Sequence, residues 1–280
     1  MCNYCSFLYK EYKQFSIYIV YMKVALCISG QPRQALLTYP YILKNIIEPN
    51  QADVFIHMNY DSDTLFIEKL HADNGNCLLE KGIDGQLIDL YKPKKYLVEK
   101  PRDFKKINIG IPEKRLENIK KLNNHKNWKD EEHVQYHVKQ LTSMYYSIYK
   151  ANELKELYAN ENGFVYDYVI RIRFDLLPME PIICSNFNKD SIHYLDIGQL
   201  DNLISDWLNI GSNMIMNVYA SLFLNMDYLN SFKYYKKNDR LPNDLEPSDK
   251  YPGVHEHMLR DLMYLYKIPK KGFYSNCKLI

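Results

Sequence analysis

Lys23-Val-Ala-Leu-Cys-Ile-Ser-Gly-Gln-Pro-Arg33 decides the architecture. After Lys23, the residues Val24 to Ser29 form a run of apolar and small side chains, bounded by a turn and without the alternation of a half-exposed strand. Such a run marks a parallel strand covered on both faces. Gly30 to Arg33 make the turn. A stretch rich in Leu, Tyr and Ile then predicts a helix to Ile47, with Pro40 in its first turn or kinking it, and Pro49 closes that element. Asp53-Val-Phe-Ile-His-Met58 is a second buried run, ending in the polar cluster Asn59-Tyr-Asp61. Strand, helix and strand in this succession are the βαβ unit of a doubly wound sheet. The expected fold class is α/β: a Rossmann-like, mostly parallel central sheet flanked by helices, in a single domain.

Ligands of such sheets gather at the carboxyl ends of the strands. Ser29, Gly30, Arg33, His57, Asn59 and Asp61 all fall there. Ser29 and Gly30 would let a ligand approach the backbone closely. Arg33 could touch a phosphate or merely cap a turn, and His57 could serve the site or be a hydrogen-bonded core histidine. Neither G-x-G-x-x-G nor G-x-x-x-x-G-K-[ST] occurs, so the dinucleotide fingerprint and the P-loop are both absent from the sequence.

Val169-Ile-Arg-Ile-Arg-Phe-Asp-Leu176 carries the strongest chemical signal. Read as one strand, it puts Arg171, Arg173 and Asp175 on one face and Ile170, Ile172, Phe174 and Leu176 on the other. Pro178 and Pro181 would stop it. Two guanidiniums and a carboxylate on one face suit the floor of an anion site, with or without a metal. An Arg–Asp ion pair on a solvated sheet face is the plainer alternative.

The rest of the chain bounds the answer. Its 280 residues are 46% hydrophobic and 25% charged, which allows one large α/β domain. A formal net charge of +2 gives no basic field for nucleic acid. The 26 tyrosines accompany abundant Lys, Asn and Ile, which fits AT-rich coding better than a binding signature. Cys2 and Cys5 are the one close cysteine pair, a weak zinc or redox signal. Phe15 to Met22 is apolar but too short to span a bilayer. Residues 1–21 are therefore expected to be an extension outside the core, with 22–280 the domain, in a soluble, cytoplasmic protein.

Further elements are expected as a helix at 84–91, a strand at 95–98 and a charged excursion at 100–129. A long amphipathic helix at 130–158 follows, ended by Gly163. Then come a strand at 191–197, an apolar helix at 212–232, a loop at 236–252 and a final helix at 253–266. His255 and His257, spaced i, i+2, do not share a helix face, so a zinc site there is not expected.

Ala25-Leu-Cys-Ile-Ser-Gly-Gln-Pro-Arg33, Asp53-Val-Phe-Ile-His57 and Tyr166-Asp-Tyr-Val-Ile-Arg-Ile-Arg-Phe-Asp175 resemble a group of glycosyltransferase-like proteins of bacteria, giant viruses and some algae. Ser205-Asp-Trp-Leu-Asn-Ile-Gly-Ser212 and Val254-His-Glu-His-Met-Leu259 are similar to that group's later segments, more loosely. The resemblance implies a GT-A-like fold and a transferase that moves a sugar from a nucleotide-diphosphate-sugar donor to a glycan, lipid or protein acceptor. In a viral protein the compartment would be the host cytoplasm. A catalytically inactive nucleotide-sugar-binding protein of the same fold is the alternative. GT-A enzymes hold the diphosphate through a divalent metal on a D-x-D at a strand end. Asp175 would be its second carboxylate, while Arg173 stands in place of the first. The resemblance therefore implies Mn²⁺ or Mg²⁺ on Asp175, unless Arg171 and Arg173 neutralise the diphosphate themselves. Asp206 and Glu256 are the candidate bases. Asp206 competes with a helix-capping role, and Glu256 with a favourable place near a helix N-terminus.

Overall fold

The computed structural model describes residues 22–67, 77–104, 131–198, 204–229 and 255–280. The expected extension at 1–21, most of the excursion at 100–129 and the loop at 236–252 lie outside the described residues.

Both apolar runs are strands, β1 (Val24–Gly30) and β2 (Asp53–Asn59). They pair in parallel with Ser29 beside His57. Two short strands, β3 (Phe66–Ile67) and β4 (Cys77–Leu78), pair separately. β5 (Lys95–Glu99) adds to the free side of β2, and β6 (Tyr168–Ile172) to the free side of β1. β7 (Leu176–Pro178) leaves for a small sheet of its own. β8 (Ile192–Leu195), β9 (Leu208–Gly211) and β10 (Lys270–Phe273) complete a 7-stranded sheet in the order β10-β8-β9-β6-β1-β2-β5. β9 alone runs against its neighbours β6 and β8. The chain winds from β1 outward through β2 and β5, then returns to β6 on the other side. The switch point of the sheet therefore lies between β1 and β6, where such folds open a crevice.

Strand alternation sorts the core into two layers. Val24, Leu26, Ile28, Val54, Ile56 and Met58 pack with α1 (Ala35–Ile42) and α2 (Ile83–Tyr91). Ala25, Cys27, Phe55 and Val169 pack on the opposite face with α3 (Glu131–Glu161), α4 (Asn213–Ala220), α5 (Leu222–Leu229) and α6 (His255–Leu265). Each large aliphatic side chain so enclosed contributes about 1.5–3 kcal/mol. This is the mostly parallel, helix-flanked single domain expected from the sequence. No helix among the described residues is long and apolar enough to cross a membrane.

Three local readings are corrected and one is decided. Of the two places open to Pro40 the kink is the one observed: it lies inside α1, and the helix widens after it into a π turn at Leu43–Ile47. Proline has no N–H to give to the regular ladder, which accounts for the local irregularity. The strand expected to run to Leu176 ends at Ile172. Phe174 turns into the α1 layer, and the Thr38 hydroxyl of α1 donates to its carbonyl. The run at 208–211, read as a lead into a helix, is β9, and the helix after it breaks at Ser221 into α4 and α5. Finally, β10 and β11 (Cys277–Leu279) follow the last helix unannounced, with β11 pairing antiparallel to β7.

Candidate active site at the carboxyl edge

Gly30 sits at φ 121°, a backbone conformation that a side chain would strain, and turns the chain out of β1. The Ala35 N–H donates to the Pro32 carbonyl at 2.8 Å, closing the turn that presents Arg33. Across the switch point, the end of β6 presents Arg173 and Asp175. Arg33 Nη1 donates to Asp175 Oδ2 at 2.9 Å. Arg173 grips the same carboxylate bidentately, Nε to Oδ1 at 2.8 Å and Nη2 to Oδ2 at 2.9 Å. Its remaining nitrogen, Nη1, reaches Asp206 Oδ2 at 3.4 Å. Arg33, Asp175, Arg173 and Asp206 thus form one continuous line of alternating charge along the crevice.

Burial pushes the Asp175 carboxyl up, but the hydrogen bonds from Arg173 and the charges of Arg173 and Arg33 outweigh it, so its pKa lies below the usual carboxylate range. Burial works against the Arg173 cation, yet Asp175 and Asp206 more than offset it and hold the guanidinium charged. Asp206 stands two residues ahead of β9, not at a helix start. Ser212 takes the position before α4, which removes the capping role expected of Asp206. Its bend is fixed from both sides: the Trp207 N–H donates to Ser205 Oγ at 3.2 Å, and Asn209 Nδ2 donates to the Ser205 carbonyl at 2.9 Å.

His57 and Arg171 do not join this line. His57 is fully enclosed, with Nδ1 on Ser147 Oγ at 2.6 Å and Nε2 on Glu99 Oε1 at 3.0 Å. Burial lowers its pKa although Glu99 pulls the other way, so it is a neutral core histidine. Arg171 was expected beside Arg173 and Asp175. Because β6 ends at Ile172, it instead lies deeper, under α3 and α4, beside Cys27 and Asn209 in register and 2% exposed. Ser29 is buried on that same face, and its hydroxyl has no partner. Asn59 is buried at the end of β2. Asp61 lies beyond it, tied to Lys100 at 3.0 Å and to the Asp63 N–H at 3.0 Å. Glu256 belongs to the first turn of α6, and its side chain lies outside the described residues.

The donor set suits an anion better than a divalent cation. Both oxygens of Asp175 already accept guanidinium N–H groups, and among the described residues no group of three or more His, Cys, Asp or Glu could hold a metal. Arg33 Nε is buried and has no partner.

No protein-family model matches the sequence. No curated protein matches it either. Among solved structures, a transferase mutant with two cysteine-to-serine changes aligns over 92% of this chain and 94% of its own, at 14% identity and a TM-score of 0.36. That likeness is too loose to assign any chemistry.

Asn209 and Tyr219 escaped the sequence reading. Tyr219 is fully buried on α4 and its hydroxyl has no hydrogen-bond partner; burial pushes its pKa up to about 12, with the charge of Arg171 holding it down and Asp206 adding to the rise. Reading Leu208–Gly211 as a strand would have found Asn209, since strand pairing puts it beside the arginine strand.

Proposed function

We propose that this chain is a nucleotide-sugar-dependent glycosyltransferase whose diphosphate clamp is made of arginines rather than a metal. The observation that carries the reading is the pair of guanidiniums, Arg33 and Arg173, held on either side of Asp175 at the β1–β6 switch point. Guanidinium matches phosphate oxygens bidentately, and the crevice at a switch point is where doubly wound sheets take nucleotides. Asp175 is a positioning residue here: it holds both guanidiniums at the crevice. A leaving diphosphate gains negative charge as the glycosidic bond breaks, and preorganised cations stabilise that change. Asp206, at the same edge, is the base that takes the proton of the acceptor hydroxyl, and its contact with Arg173 keeps it oriented. The acceptor is a glycan, lipid or protein hydroxyl.

An inactive nucleotide-sugar binder is the second reading, favoured by one observation: Asp175 is fully engaged by guanidiniums. Turnover separates the two.

The test is a thermal-shift panel of UDP, GDP, CMP and dTDP compounds with Mn²⁺, with Mg²⁺ and with EDTA. A ligand at a hundredfold excess over its dissociation constant stabilises by about 2.7 kcal/mol. Stabilisation by one nucleotide class that survives EDTA is the expected result. Stabilisation lost in EDTA would transfer the diphosphate to a metal, and a flat panel would remove the glycosyltransferase reading altogether.

A further inference from the structure

Among the described residues, three cations are enclosed on the α3 to α6 side of the sheet: Lys155, Arg260 and Arg171, at 0%, 4% and 2% exposure. Lys155 is neutralised by Glu156 at 2.6 Å, with Asn217 Oδ1 accepting at 2.9 Å. Arg260 is neutralised by Asp261 at 2.8 Å. Arg171 differs. No carboxylate described in the protein pairs with it, and its Nε and Nη1 have no hydrogen-bond partner. A charge is not carried into a protein interior without a counter-charge unless something else supplies one.

The groups around it define what that partner is. Asn209 pairs with Arg171 across the β6–β9 register, and its Oδ1 is also unpartnered because Ser205 engages only the amide nitrogen. Ser29 Oγ, on the same sheet face of β1, is unpartnered too. The Tyr219 hydroxyl, buried and unpartnered on α4, feels the charge of the guanidinium. A cation with two unused donors, an amide oxygen wanting a donor and a hydroxyl able to do either suit an acidic group flanked by a hydroxyl. A phosphodiester, which carries no hydroxyl, would leave Asn209 Oδ1 unmet. Arg171 and Arg173 are separated in sequence only by Ile172, at the end of β6, so a ligand group on Arg171 and a diphosphate on Arg173 would be served by neighbouring positions of the chain.

We infer that Arg171, Asn209 and Tyr219 form a subsite for a carboxylate, and that the donor sugar is an acidic one, of the uronic-acid class. The assignment to the sugar rests on the glycosyltransferase reading; the need of Arg171 for an anion does not.

Matched donors test this by titration calorimetry: UDP-glucose against UDP-glucuronic acid, GDP-mannose against GDP-mannuronic acid, and the bare nucleotides. The wild-type protein is expected to favour the carboxylate-bearing member of a pair by about tenfold or more, the worth of a charge-assisted hydrogen bond. Arg171→Met should lose that preference while binding the bare nucleotide as before. Asn209→Asp supplies a carboxylate from within the chain, so it should melt higher than wild type and also lose the preference. This second variant keeps the test decisive if Arg171→Met fails to fold. No preference in the wild type, or a preference that persists in either variant, overturns the inference. Should no nucleotide bind, the glycosyltransferase reading fails by itself. Free glucuronate and inorganic phosphate then probe the subsite alone. Glucuronate should raise the wild-type melting temperature more than phosphate does, and should not raise that of Asn209→Asp. A flat wild-type response overturns the subsite as well.

Discussion

Arg173 holds Asp175 with two parallel hydrogen bonds, of 2.8 and 2.9 Å, across the single residue Phe174, whose ring is buried on the opposite side of the turn. A pair so close in sequence is possible because the strand has already ended: a guanidinium and a carboxylate two apart in a continuing strand would stand side by side, not fork to fork. The turn is pinned by Thr38 at Phe174 and by the Ile280 N–H, which donates to the Asp175 carbonyl at 3.1 Å. The geometry of the Arg173–Asp175 pair is therefore set by the fold itself.

Replacing Asp175 with Asn leaves two guanidiniums facing a neutral amide. Breaking one side of a buried pair typically costs about 3–5 kcal/mol. Arg33 and Arg173 retain 27% and 22% side-chain exposure, so solvent recovers part of that. A loss of about 2–4 kcal/mol is expected from urea unfolding. A variant as stable as the wild type would show that the pair contributes nothing net.

Acid should expose the same pair. The folded Asp175 pKa lies below its unfolded value, so its stabilisation is complete above about pH 4 and is lost as pH falls through the folded pKa. Wild type should lose stability below pH 4 more steeply than Asp175→Asn. Parallel slopes in urea midpoints would contradict this.

His57 predicts a second, separate step. Its folded pKa is lowered, so the unfolded chain takes up a proton that the native state refuses. Stability is full above about pH 6.5 and declines below it. His57→Gln should flatten the profile between about pH 7 and 5 without touching the step near pH 4. Persistence of the upper step would assign it to another group.

Arg33→Met and Asp206→Asn separate binding from chemistry. Loss of one charge-assisted contact is worth about 1.5–3 kcal/mol, so Arg33→Met should weaken nucleotide binding by roughly 10- to 100-fold. Asp206→Asn should bind nucleotide normally and lose about 10²- to 10⁴-fold in transfer rate. If Asp206→Asn transfers at the wild-type rate, the base lies elsewhere.

Burial pushes the thiols of Cys27 and Cys184 up to about 12. Neither should be alkylated by iodoacetamide at pH 8 until the chain unfolds, as mass spectrometry of native and urea-treated protein will show. Rapid native labelling of Cys27 would mean that α3 lifts from β1.

How much was legible follows from chain distance. β1, β2, β5 and α2 announce themselves, because buried runs and helical spacing are local signals. The Arg-x-Arg-x-Asp alternation singled out Arg173 and Asp175, which do meet, but placed Arg171 with them wrongly, since the turn at Phe174 is driven by packing against α1 and not by a local breaker. β9 and β10 are 4 residues each, the one running almost directly into a helix and the other bearing Lys270 and Lys271, so periodicity had too little to act on. His57 looked poised for chemistry from its strand-end position. Ser147 and Glu99, which satisfy it, lie 90 and 42 residues away. No pattern within a strand could have revealed them.

Arg33 and Asp175 meet across 142 residues of chain. Closing so large a loop is an entropic cost met only when β1 and β6 have already paired. The contact therefore has no local precursor: the β1–α1–β2 unit carries only Arg33, and the β6 and β9 ends carry Asp175, Arg173 and Asp206, so neither holds both guanidiniums. On the proposed glycosyltransferase reading, nucleotide affinity should rise and fall in step with the population of the complete sheet, which would make ligand binding a reporter of global folding and leave any fragment of the chain silent.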